Sequence, residues 1–416
     1  MQGGAKKRRH LFSKFKKTLT LYSWALYDFA NTIFSAVVLT FYFPLYLTDL
    51  THKNLNLGLA TSGATVLAGL VVPWLGALSD RTGRTKTYLL ITTLLCVGFT
   101  FGLSFFVYPS LLIITFLLAC FSFHASLVFY NALLPVVAES EKQGFASGLG
   151  TGLGYLGVLF AIPLAHLVDS FFGRRFVFLV AGSLFLIFSL PLFAWVPERK
   201  VLNPLGASFD IFIKEWKKVL TTLGRITRNR PLLFFFTGNF FVMEAVNTAI
   251  FWFVIYLARV FGPPQKDLIL IFLGLNFCAF LFGFAAGFLT DRYGSQKIFL
   301  LSALSLLVTF LSLGLSRDLK TFIAASFTAG AFALAGVWTA GRKRLIELAP
   351  PDAVGEYFGL YNLTTKISVI GSLVFSILAD RYGFRIALLS GMIPSGLGAI
   401  FLWLGREKRL LTSSGS

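Results

Sequence analysis

Long apolar runs alternate with short polar breaks along almost the whole chain. Twelve runs are read, over residues 22–47, 57–79, 87–107, 110–135, 145–168, 176–196, 231–258, 268–290, 298–315, 320–341, 355–379 and 385–405. Each approaches or exceeds the roughly 20 apolar residues that carry a helix across a bilayer. The pattern predicts an all-α polytopic membrane protein with twelve transmembrane helices, spans 1 to 12. Two runs are interrupted in the same way: span 1 carries Tyr27-Asp28-Phe-Ala-Asn31 and span 7 carries Glu244-Ala-Val-Asn247. Residues three apart share a helix face. An ionised carboxylate at the bilayer centre costs roughly 2.5–3.5 kcal/mol on insertion scales. Each acid-x-x-amide face is therefore expected to point into a bundle rather than at lipid, and the two together are the first place to look for function.

The breaks are short except for one. Residues 197–230, between spans 6 and 7, hold eight cations and three acids and divide the spans six and six. The expected organisation is a basic N-terminal segment 1–21, a six-helix bundle 22–196, a linker 197–230, a second six-helix bundle 231–405 and a tail 406–416. Within the linker, Phe209–Leu223 reads as an amphipathic helix on the membrane surface. Lys and Arg number 27 on the side holding both termini and the linker, and 9 on the other, with Lys366 inside span 11. By the positive-inside rule both termini are expected in the cytoplasm.

Composition narrows the class. With 416 residues, 56% of them hydrophobic and 13% charged, the chain is too apolar for soluble domains. The net charge of +19 raises nucleic acid as a partner, but seven cations between Lys6 and Lys17 stand directly before span 1. There they read as an anchor on the membrane surface, and no nucleic-acid partner is expected. Cys96, Cys120 and Cys278 lie in apolar runs and the four histidines have no ligand spacing, so neither disulfides nor a metal nor any cofactor is expected. No nucleophile–base set or nucleotide loop is present, which argues against an enzyme and against an ATP-driven pump. The glycines from Gly148 to Gly157 lack the lysine of a phosphate loop and read as close helix packing.

A repeat then points to transport. Gly76-Ala-Leu-Ser-Asp80-Arg81-Thr-Gly83-Arg84-Thr-Lys86 follows span 2, and Gly287-Phe-Leu-Thr-Asp291-Arg292-Tyr-Gly294-Ser-Gln-Lys297 follows span 8. Weaker echoes, at Asp169 with Gly173 and at Asp380 with Gly383, follow spans 5 and 11. Asp80 to Asp291 and Asp169 to Asp380 are both 211 residues apart. The chain reads as a duplicated six-helix unit, each unit built from two three-helix pieces. Such repeats belong to transporters, whose substrate site lies near mid-membrane between the halves.

The repeated loop resembles the signature of the major facilitator superfamily, over essentially the whole chain. Within it, Trp24-Ala-Leu-Tyr-Asp28-Phe-Ala-Asn31, Phe129-Tyr-Asn131-Ala-Leu-Leu-Pro135, the glycine run from Ser147 and Glu356-Tyr-Phe-Gly-Leu-Tyr361 are similar to the vacuole-effluxer-like branch of bacterial carriers and fungal vacuolar amino-acid exporters. The resemblance implies two pseudo-symmetric six-helix bundles with spans 1 and 7 lining a central cavity. It also implies a cytoplasmic latch, with Asp80 capping the start of span 11 near Gly355 and Asp291 that of span 5 near Gly144. Gly76 and Gly287 suit close helix approach. Arg81 and Arg84 are expected to pair with Glu139, Glu141 or Glu356; the second copy keeps Arg292 but has Gly294-Ser-Gln where the first has Gly83-Arg84-Thr.

The candidate substrate or proton residues are Asp28, Asn31, Glu244 and Asn247, with Tyr130, Asn131, Trp338 and Asn362 as cavity lining. Lys366 stands deep in span 11, where Asp28, Glu244 or a substrate anion are its obvious partners. A cation beside two acids suits a zwitterion. Arg342, nearer the cytoplasm, reads equally as a gate or as a topological charge. The expected function is a secondary active transporter working by alternating access, exporting amino acids or similar zwitterions with protons. The alternative is an exporter of lipophilic compounds or lysolipids, which 48 phenylalanines also suit; a non-transporting sensor ranks below both. The expected partners are a small molecule, protons and the lipid bilayer. The chain is expected to act as a monomer in a bacterial cytoplasmic membrane, with an organellar membrane as the alternative.

Overall fold

The computed structural model describes residues 2–51, 68, 71–199, 209–367 and 370–406, and every regular element among them is helical. Span 1 is α1 (Gln2–Ile33), a π-helical stretch (Phe34–Tyr42) and α2 (Phe43–Thr51). The described part of span 2 is α3, residues 71–82. Then come α4 (Thr85–Phe105), α5 (Pro109–Ala132), the short α6 (Leu134–Val137), α7 (Gln143–Phe172) and α8 (Arg174–Trp195). Helix α9 (Phe209–Arg228) precedes α10 (Arg230–Val260), α11 (Gln265–Tyr293) and α12 (Ser295–Leu315). Span 10 is α13 (Leu319–Ala325), a second π-helical stretch (Ser326–Gly330) and α14 (Ala331–Leu348). Spans 11 and 12 are α15 (Val354–Ile367) with α16 (Ile370–Tyr382), and α17 (Phe384–Ser390) with α18 (Met392–Leu404).

Among the described residues, 10 helices are long and apolar enough to cross a membrane. The two remaining expected spans, 2 and 11, overlap residues outside the description (52–67, 69–70 and 368–369). Large apolar side chains such as Leu94, Leu190, Phe251, Phe288, Leu301 and Trp403 face outward. In a helical bundle without a water-filled exterior this is the lipid-facing surface.

The four-fold repeat has a local cause. Gly83, Gly173, Gly294 and Gly383 have φ of 66°, 86°, 91° and 88°. Each returns its N–H to the carbonyl four residues back, on Ser79, Asp169, Thr290 and Ala379. A side chain is strained in that conformation, so glycine ends the helix and turns the chain into the next one.

In the N-terminal half α1 packs on α7 and α8, and α4 on α5 and α8; in the C-terminal half α10 and α12 pack on α18, and α12 on α14. The halves meet chiefly along α7 and α11, with α14 also against α7 and α15 against α5. The glycine run makes this seam possible. Gly144 and Gly148 abut Gly287 of α11, and Gly152 abuts Gly283, while Gly150, Gly154 and Gly157 on the other face rest against Asp28, Thr32 and Phe29 of α1. Without side chains the backbones approach closely, and dispersion contacts replace a hydrophobic drive that lipid does not supply. One helix thus binds its own bundle and the opposite one.

Candidate functional site

Asp28 sits in the last two turns of α1 with its carboxylate against α7 and α14. A Cβ on Gly150 would press on both Asp28 Oδ2 and the Tyr130 hydroxyl, so that glycine opens the space the two oxygens fill. Asn31, one turn on, turns its Nδ2 toward Asp28 Oδ1 at 3.4 Å. The main partner comes from the other half: Arg342 Nη1 of α14 donates to Asp28 Oδ2 at 2.8 Å. Asp28 is 4% exposed and Arg342 7%, so water barely screens the pair. Its two charges can be held there only because each neutralises the other.

An aromatic wall completes the site. The Arg342 guanidinium lies 5.7 Å from the Tyr130 ring centroid, a cation–π contact. Tyr130 stacks on Trp24 at 4.4 Å and on Tyr27 at 5.1 Å. Trp24 Nε1 donates to the Tyr130 carbonyl at 3.0 Å, and the hydroxyls of Tyr27 and Thr93 lie 2.7 Å apart. Asn131, beside Tyr130, is buried. Among the described residues, the two helices that supply Asp28 and Arg342 are also the two with π-helical stretches, a distortion frequent at functional sites.

The structure revises several expectations here. The sequence leaves Arg342 open between gate and topological charge; its side chain instead pairs with Asp28. Arg342, Lys343 and Arg344, just past the expected end of span 10, are all buried, and the Lys366 side chain lies outside the described residues. The two acid-x-x-amide faces also differ. Glu244 is half-buried, and Asn247 Nδ2 donates across to the Thr365 carbonyl of α15 at 3.0 Å. Trp338 and Asn362 are partly exposed.

The signature loops form two matching latches. Asp80 accepts from the N–H groups of Gly355 at 3.0 Å and Glu356 at 2.8 Å, at the first turn of α15. Asp291 accepts from Gly144 at 2.8 Å and Phe145 at 2.6 Å, at the first turn of α7. Each carboxylate meets the positive end of a helix in the opposite half. Gly76 and Gly355 touch backbone to backbone, and a Cβ on Gly76 would collide with the Gly355 carbonyl. Each carboxylate also holds a cation: Lys343 Nζ donates to Asp291 Oδ1 at 2.6 Å, and Arg199 Nη1 donates to Asp80 Oδ1. Burial pushes the Asp80 carboxyl, just past the end of span 2, up to about 6, and Arg199 is the first of the groups pulling it back.

One of the three expected partners of the loop arginines, Glu139, is held by another cation. Arg81 and Arg84 are exposed, and Glu139 takes Lys17 Nζ at 2.9 Å. Arg292 is exposed and lies over the rings of Phe288 and Tyr293 at 6.0 and 5.5 Å. Sequence reasoning missed Lys343 and Arg199. For Arg342 a signal was present: 211 residues before it stands Asn131, already a cavity candidate. Arg199 carries no such signal.

Residues 25–278 and 236–415 match the sequence model of the family described as Major Facilitator Superfamily. An uncharacterised protein of Aquifex aeolicus (strain VF5) is 28% identical, over 94% of this chain and 97% of its own. The uncharacterised MFS-type transporter YxiO of Bacillus subtilis (strain 168) is 25% identical over 91% and 93%. The multi-drug resistance efflux pump PmrA homolog of Lactococcus lactis subsp. lactis (strain IL1403) is 24% identical over 93% and 95%. Autophagy-related protein 22 of Neurospora crassa is 23% identical over 65% of this chain and 41% of its own. Among solved structures the E. coli fucose:proton symporter FucP aligns with a TM-score of 0.72 at 15% identity, over 94% of this chain and 98% of its own. That likeness is one of fold.

Proposed function

The chain belongs to the major facilitator superfamily of membrane transporters, and we propose that it exports amino acids or similar small zwitterions by proton-coupled alternating access. The observation that carries this reading is the buried pair of Asp28 and Arg342, one residue from each half, 2.8 Å apart. A carboxylate and a guanidinium are the complements of an ammonium and a carboxylate. An entering zwitterion separates the pair by offering each member a new partner, its ammonium to Asp28 and its carboxylate to Arg342. A proton on Asp28 releases Arg342 by another route, which makes proton and substrate alternatives at one carboxylate. Glu244, half-buried on α10, is the candidate second proton site.

Coupling to the gate follows from adjacency. Arg342 faces Asp28 while the next residue, Lys343, holds the Asp291 latch. A movement of this turn of α14 that frees one strains the other. The six-helix halves, 22–196 and 231–405, are the rocking bodies in this reading, joined by 197–230. The Lys and Arg excess puts the latches on the cytoplasmic side, closed here, so the site faces outward or is occluded. The protein works as a monomer in a bacterial cytoplasmic membrane. Its similarity to autophagy-related protein 22 supports the vacuole-effluxer-like branch.

A second reading, export of lipophilic compounds, is favoured by the similarity to the Lactococcus protein named as a multi-drug efflux pump homolog. The test is uptake and counterflow of labelled amino acids in proteoliposomes, with and without a pH gradient, for wild type and Asp28→Asn. Gradient-driven flux that is lost in the variant is expected. Absence of amino-acid flux in folded wild type overturns the zwitterion reading, and the same vesicles then serve for lipophilic cations.

A further inference from the structure

The two latches match in their backbone contacts but not in the origin of their cation. Asp291 is held by Lys343, from span 10 of its own half. The residue 211 positions before Lys343 is Ala132 in span 4, which cannot serve Asp80. The vacancy is filled from outside the bundle helices by Arg199, beyond the end of α8. Its Nη1 donates to Asp80 Oδ1, and its Nη2 donates to the carbonyl of Pro351, in the turn between α14 and α15 of the opposite half. The Arg199 side chain is 11% exposed and that of Asp80 2%.

Arg199 is also held in place on the N-terminal half. Its neighbour Glu198 accepts from Lys86 N at 2.6 Å and from Thr87 N and Oγ1 at 3.2 Å, closing the first turn of α4. Lys86 Nζ in turn donates to the Phe193 and Val196 carbonyls at the end of α8, at 3.3 and 2.9 Å. Residues 193–199 thus lie fixed along one half, and the guanidinium fork reaches from there to the other. A guanidinium binds a carboxylate and a carbonyl at once in a fixed geometry, which a lysine ammonium does not reproduce.

We propose that Arg199 is a gating residue, a strap at the head of the linker that locks the Asp80 latch by bridging Asp80 to the Pro351 carbonyl. When the halves part, Arg199 stays with Asp80 and Glu198 stays with α4, while the bond to Pro351 breaks together with those to Gly355 and Glu356. The Asp291 latch has no such bridge from the linker among the described residues. The two latches are therefore unequal: one is built from bundle helices alone, the other depends on the linker.

The inference rests on the alternating-access reading but not on any substrate, and its test is made without one. In a background lacking Cys96, Cys120 and Cys278, a Ser147→Cys reporter is placed at the seam, where Ser147 Oγ donates to the Thr339 carbonyl of α14 at 3.0 Å. Its rate of reaction with N-ethylmaleimide reads opening of the latch side. Arg199→Ala is expected to raise that rate roughly tenfold, the effect of losing charge-assisted hydrogen bonds from the closed state. Arg199→Lys should stay raised, because it restores the charge without the bridge. Glu198→Gln, which loosens the mooring and leaves the latch atoms intact, should raise the rate by less and serves if Arg199→Ala does not fold. Unchanged labelling in folded Arg199→Ala, or wild-type labelling in both Arg199→Lys and Glu198→Gln, overturns the proposal. A lowered melting temperature with unchanged labelling assigns Arg199 a structural role only and overturns it equally.

Discussion

Spans 1 and 7 carry the same pattern, an acid and an amide three residues apart in an apolar run, yet their surroundings differ. Asp28 is buried, takes Arg342 from the opposite half, and draws Asn31 toward it. Glu244 is half-buried, and Asn247 turns away to the Thr365 carbonyl. The residues that the repeat offset pairs on spans 4 and 10 differ as well. Arg342 in span 10 corresponds by the 211-residue offset to Asn131 in span 4, so one half presents a cation where the other presents a neutral amide. Duplication kept the acids and changed their partners. One acid is half of a buried ion pair, and the other is half-buried on α10.

Breaking the locked pair should have the largest effect. Asp28→Ala or Arg342→Ala leaves a buried charge without its partner, at a cost of roughly 3–5 kcal/mol. Thermal unfolding in detergent should register that loss, and Asp28→Asn combined with Arg342→Gln should recover most of it. A double variant no more stable than either single one would contradict the pairing. Next come the latches. Asp80→Asn and Asp291→Asn each remove charge-assisted bonds worth roughly 1.5–3 kcal/mol to the closed state. Transport should fall while the protein stays folded, and Gly76→Ala, which forces α3 and α15 apart, should act the same way.

Changes around span 7 should be milder and of a different kind. Glu244→Gln is expected to leave the melting temperature nearly unchanged and to abolish pH-gradient-driven flux while amino-acid counterflow persists. Equal loss of both activities would make Glu244 a partner of Asp28 in binding, and the two acids would no longer differ in role. The smallest effect belongs to Asn247→Ala, which removes one hydrogen bond to α15, worth about 0.5–1.5 kcal/mol. It should appear as a modest drop in melting temperature with transport retained.

The comparison also marks what a sequence reveals. The helices were legible because a bilayer demands long apolar runs, and the helix ends because four glycines take up positive φ. The carboxylate-to-helix contacts of Asp80 and Asp291 were implied by the family resemblance of the repeated loop. The partner of Asp28 was harder to read: the repeat offset marks Arg342 as the mate of Asn131, but Arg342 lies 314 residues from Asp28, near the end of its span, and the packing of α14 on α7 brings its long side chain inward. Position along a span left Arg342 open between a gate and a topological charge, and did not reveal the reach of its side chain to Asp28. Arg199 was beyond sequence reasoning because it sits in an irregular segment, where neither periodicity nor the internal repeat constrains it. Of the three acids expected for Arg81 and Arg84, Glu139 is taken by Lys17, from the middle of α1, a competitor that spacing along the chain does not reveal.

The most direct test of the central claim is equilibrium binding of a labelled amino acid to the purified protein, set against binding of the amine that lacks its carboxylate. If Arg342 receives the substrate carboxylate, wild type prefers the amino acid, and Arg342→Gln, in a protein that remains folded, binds the two alike. A preference that survives intact in the Arg342→Gln variant would contradict the account.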